Sequence, residues 1–79
     1  MVKTAVVARF QALCEKRGLN PNALANLAGI TPSTVYSMMD SRRKDISIVT
    51  IKILCDGLGM TLGEFFSTEE FDHLEQELK

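Results

Sequence analysis

The chain has 79 residues, 46% of them hydrophobic, and a formal net charge of -1. That length makes a single domain burying somewhat over ~60% of its unfolded surface, with too much apolar content for a disordered chain. No apolar run approaches the ~20 residues that span a bilayer, and the first ten residues lack the small-residue cleavage site of a secretory leader. Two cysteines and one histidine are too few ligands for a disulfide framework or a metal site, so Cys14 and Cys55 read as small core residues in a reducing cytoplasm.

The charge is unevenly placed. Residues 1–44 carry seven Lys and Arg against two acids, or +5, and residues 45–79 carry two against eight, or -6. A basic half suits a polyanion, while an acidic half faces solvent or a partner.

In chain order, Val6, Phe10, Leu13 and Cys14 recur at helical spacing and predict a first helix over Lys3 to Arg17. Gly18 ends it, with Lys16 and Arg17 in the last turn, where cations suit the helix dipole. Asn20 as N-cap and Pro21 as first helical residue open a second helix to Ala28, which Gly29 stops. Thr31 and Pro32 repeat the signal and open a third helix to Met39. Ala25, Gly29 and Val35 form the skeleton of a helix-turn-helix, with Leu24, Leu27, Ile30 and Met38 as its apolar sides.

Asp40 to Ile46 is a basic loop. Ser47 caps a fourth helix, Ile48 to Leu58, in which Ile48, Ile51, Leu54, Cys55 and Leu58 are apolar. The β-branched stretch Ile46 to Ile53 raises a strand as rival, but a length over ten residues and the stop at Gly59 favour helix. Thr61 and Glu64 form a capping box for a short fifth helix through Phe66; Ser67 and Glu70 form a second, opening a last helix from Thr68 to about Leu78. The fold class is therefore all-α: one domain over residues 1–79, a five-helix bundle with a short C-terminal helix.

The run Phe10 to Phe66 resembles the lambda-repressor-like, Cro and XRE family of helix-turn-helix regulators. The likeness covers KRGLN before helix 2, the Ala25-Gly29-Val35 skeleton, the loop after helix 3 and the ending LGMTLGEFF. It implies a helical bundle that binds duplex DNA, usually as a dimer on a partly palindromic operator. Pro21 and Pro32 stand where members often carry Gln, or Gln or Arg, and Ser41 follows Asp40 where Gly after Asn is usual.

Groove entry needs short or polar side chains at a helix end. Helical geometry turns Val35 and Met38 inward and leaves Pro32, Ser33, Thr34, Tyr36 and Ser37 as the base-contacting set. Phosphate contacts fall to Asn20, Asn22 and Thr31 beside helix N-termini, and to Ser41, Arg42, Arg43 and Lys44 after helix 3. Phe65, Phe66, Phe71, Leu74 and Leu78 form an apolar stripe beyond what helices 1 to 4 need, and predict a homodimer interface.

No catalytic constellation, phosphate loop or zinc spacing is present, and His73 reads as a surface residue, so neither enzyme activity nor a cofactor is expected. The expected function is a cytoplasmic DNA-binding regulator that represses by occupying its operator. Two rivals keep the same fold: an adaptor that binds protein, and an antitoxin whose acidic C-terminal helix holds a toxin.

Overall fold

The computed structural model describes residues 2–43 and 45–74. Among the described residues six helices follow one another: α1 Val2–Arg17, α2 Pro21–Ala28, α3 Pro32–Met39, α4 Ile48–Leu58, α5 Leu62–Phe66 and α6 Glu69–Asp72. The described residues contain no strand.

The starts of α2, α4 and α5 are closed by side chains, as the sequence implies. Asn20 Oδ1 accepts from the Ala23 amide at 2.8 Å, and Ser47 Oγ from the Val49 amide at 3.1 Å. Thr61 and Glu64 bond each other's amides reciprocally at 3.0 and 2.9 Å. Each such cap satisfies donors that a helix start otherwise leaves to water. The second capping box does not form. Thr68, not Ser67, is the N-cap of α6, and its side chain makes no cap bond. The helix expected from Thr68 to Leu78 runs only over Glu69–Asp72 and ends at His73; Leu78 lies outside the described residues.

One core joins all the longer helices. Val6, Phe10, Leu13 and Cys14 of α1 meet Leu24 and Ala25 of α2, Val35 and Met38 of α3, and Ile51, Leu54, Cys55 and Leu58 of α4. Two apolar residues expected there are outside it. Leu27 sits on the flank of α2, 53% exposed. Ile48 shares the stripe of Ile51 and Cys55 but stands at the first position of α4 and is 56% exposed.

The larger correction concerns the C-terminal aromatics. Phe65 is fully buried in its own bundle, its ring 4.4 Å from that of Phe10. Phe66 and Phe71 pack edge to face at 4.9 Å and both join the core. Helices α1 to α4 do not close the core alone: Phe65 fills a gap that Phe10 leaves open. The described part of the stripe read as surplus is thus partly covered within one molecule, and Phe65 has no surface to offer a partner copy.

α1 also ties off three helices. Lys3 donates from Nζ to the carbonyl of Asp40, at the end of α3. Arg17 Nη1 donates to the Leu58 carbonyl at 2.6 Å, ending α4. Arg9 donates from Nε to Phe65 at 2.9 Å and from Nη2 to Glu64 at 3.2 Å, ending α5. Helix C-termini carry unpaired carbonyls and a partial negative charge, so cations are the natural partners.

Candidate nucleic-acid interface

Two helices and a turn build the site. Gly29 takes φ 74 and ψ 26, a left-handed conformation that a Cβ resists. Its amide and that of Ile30 return to the carbonyls of Asn26 and Ala25 at 3.3 and 3.1 Å, closing α2. The chain then leaves extended through Thr31, and Pro32 starts α3. Ala25 and Val35, both fully buried, lie where α2 and α3 meet and fix their crossing.

With Val35 and Met38 held inward, α3 turns Pro32, Ser33, Thr34 and Tyr36 to solvent, and Ser37 is half-buried beside them. Tyr36 is 54% exposed, so its ring is no part of the core. The Thr31 hydroxyl caps no amide. It lies 3.0 Å from both the Ser33 and the Thr34 hydroxyls, a three-hydroxyl cluster at the head of α3. Hydroxyls both donate and accept, so this face can bond donors and acceptors alike, with little intrinsic discrimination.

The loop after α3 is organised by Asp40. Its carbonyl accepts from the Arg43 amide at 3.1 Å, closing a turn. Its Oδ1 accepts from the Arg42 amide at 2.9 Å, the local bond for which Asp is favoured in turns. The Arg42 guanidinium grips the same carboxylate, Nη2 to Oδ2 at 2.8 Å and Nε to Oδ1 at 3.1 Å. That bond, seconded by the backbone bond, holds the Asp40 carboxyl below its ordinary value.

The two described arginines of the loop therefore differ. Arg42 is highly exposed but paired. Arg43 is exposed, and its side chain has no ion pair or hydrogen bond among the described residues. Arg43 also borders a hollow shared with Thr34 and Ser37, which brings a cation to the edge of the α3 face. Asn20 and Asn22 are exposed at the head of α2, and Asn20 Oδ1 is engaged in the cap. Lys44 lies outside the described residues.

The basic balance of the N-terminal half is thus partly internal: Lys3, Arg9 and Arg17 hold helix ends. Sequence reasoning missed this role. One signal was available, since Lys3 falls three residues before Val6 on the apolar register of α1, where a cation needs a buried partner. Cys14 and Cys55 are buried, and burial raises both thiols above their ordinary value, which disfavours the reactive thiolate. No group of side chains that could hold a metal occurs among the described residues, and none of the described helices is long and apolar enough to cross a membrane.

A glycine-hinged pair of short helices, the second presenting a polar face beside an exposed cation, defines a helix-turn-helix domain. The Cro/C1-type HTH DNA-binding domain matches residues 9–70, and the chain belongs to that family. The chain is similar to the prophage Lp1 protein 11, whose crystal structure superposes with a TM-score of 0.81 at 30% identity, covering 94% of this chain and 97% of that one. No curated protein matches the chain at a significant level.

Proposed function

We propose that this DNA-binding regulator is a repressor that acts by occupying operator DNA. The observation that carries the reading is the exposed face of α3 from Pro32 to Ser37, with Arg43 at its border. Pro32, Ser33, Thr34, Tyr36 and Ser37 meet base edges in the major groove. Asn20, Asn22, Thr31, Ser41, Arg42, Arg43 and Lys44 meet the flanking phosphates. A domain seated in the groove excludes other proteins from the same segment, so occupancy alone suffices to repress.

Short hydroxyls discriminate bases weakly, which favours two copies on one site. Phe66, Phe71 and Leu74 remain half-buried and are the described residues of the C-terminal stripe with surface left for a second copy. A gel shift on genomic fragments followed by transcription in vitro tests the reading. The bound promoter falls silent as protein is added, with the same dependence on concentration as binding. Binding that leaves transcription unchanged contradicts repression, and absence of any salt-sensitive shift contradicts the DNA role and favours the protein-binding adaptor.

A further inference from the structure

A groove of about 320 Å³ runs between the N-terminal half of α1 and the end of α3. Val7, Ala8 and Met39 form an apolar floor, and Lys3 and Arg43 line it with cationic side chains. None of the described residues that line it carries an acidic side chain. An apolar floor with a few polar groups, at a volume within the ~300–1,000 Å³ common for small-molecule sites, describes a ligand cleft better than a packing defect. Lys3 gives one bond to the Asp40 carbonyl, and an ammonium has three donors.

Among the described residues, Arg43 alone lines both this groove and the hollow beside Thr34 and Ser37. Its guanidinium makes no hydrogen bond or ion pair among the described residues, and the Asp40 carboxylate acts on it only through space, so it is available on either side. A carboxylate in the groove and a DNA phosphate beside α3 would compete for the same cation.

We propose that the groove binds a small amphiphilic carboxylate, its alkyl chain on Val7, Ala8 and Met39 and its carboxylate on Arg43, and that occupation weakens DNA binding by drawing Arg43 away from the α3 side. The second half rests on the DNA-binding reading; the first does not. The α1 face of the groove runs from Lys3 to Gln11, about 12 Å at the rise of an α-helix, which suits a medium-length alkyl chain.

Octanoate, below its micelle concentration, is the probe for titration of the full chain by amide chemical shifts, with 1-octanol and acetate as controls. Shifts centre on Val7, Ala8, Met39 and Arg43, and octanoate binds about tenfold more tightly than either control, since only it joins an apolar tail to an anion. Arg43→Gln, on an exposed turn, weakens octanoate about tenfold, the scale of one charge-assisted hydrogen bond. Ala8→Phe fills the groove and removes octanoate binding while leaving duplex binding intact. Shifts elsewhere, no shifts, or equal binding of octanol overturn the site. In the presence of duplex, saturating octanoate weakens the parent's DNA affinity about fivefold and leaves Ala8→Phe unaffected. Unchanged parent affinity overturns the competition. Octanoate binding in a protein that takes no duplex leaves the groove standing and removes the DNA reading instead.

Discussion

Gly57 of α4 lies against Ala28, the last residue of α2, so closely that a Cβ on Gly57 would stand 2.8 Å from the Ala28 Cα and 2.9 Å from its nitrogen. Backbone, unlike the tip of a side chain, cannot step aside cheaply, and α2 carries the turn that aims α3. Gly57→Ala gains helix propensity of about 1 kcal/mol, but overpacking costs about 1–3 kcal/mol, so the overpacking wins. The expected result is a lower urea midpoint, with a net loss on the order of 1 kcal/mol. A midpoint at or above the parent's would show that the two helices separate freely.

Lys3→Met keeps the buried stem and removes the bond from α1 to the end of α3. A hydrogen bond from a charged donor contributes about 1.5–3 kcal/mol, and the loss should sit near the lower figure because the bond is only part-buried. Thermal unfolding registers the total, and hydrogen exchange should speed at the last amides of α3 more than in α4. Uniform acceleration would mean that Lys3 supports the fold generally and does not anchor α3.

Two carboxyls among the described residues contribute to an acid limb of stability. Asp40 is held below its ordinary value chiefly by the Arg42 side chain, and Glu64 by the Thr61 amide and hydroxyl. Both folded-state values are depressed, so their contribution is fully present above the unfolded values near ~4 and disappears as pH falls through the lowered folded ones. Unfolding followed from about pH 6 to about pH 2 should show stability falling in that window, and an Asp40→Asn/Glu64→Gln variant should show a flatter limb. An unaltered limb would place the acid sensitivity elsewhere.

Asp40 and Arg43 should affect DNA binding in opposite senses. Neutralising Arg43 removes one phosphate contact, weakens all duplexes alike and reduces the salt slope by about one. Asp40→Asn removes an anion from the loop and frees Arg42 from its pair, so affinity should rise, most at low salt. Equilibrium titrations at several salt concentrations measure both. If Asp40→Asn weakens binding, the carboxylate's role in shaping the turn outweighs its charge.

How much of this was legible beforehand follows the range of each interaction. The starts of α2 and α3 were readable because Asn20-Pro21 and Thr31-Pro32 act locally, and Gly29 marked the turn between them. The outward face of α3 followed from helical period once Val35 and Met38 were turned inward. Contacts distant in sequence were not readable. Lys3 reaches Asp40 across 37 positions, Arg17 reaches Leu58 across 41, and Arg9 reaches Phe65 across 56. The same holds for Phe65, whose burial depends on where Phe10 leaves space. The pairing of Arg42 with Asp40 was not readable for a different reason: it depends on a turn conformation that composition alone does not specify.

The central claim is that the exposed face of α3 reads duplex DNA, and selection of bound sequences from a random duplex pool tests it most directly. The parent should enrich a motif of modest information, with each specified position contributing at most ~1–3 kcal/mol and half-sites about one helical turn apart. Tyr36→Ala and Ser37→Ala should change the preferred bases while the protein stays folded. Enrichment of no motif, or of the same motif by parent and variants, would contradict the account.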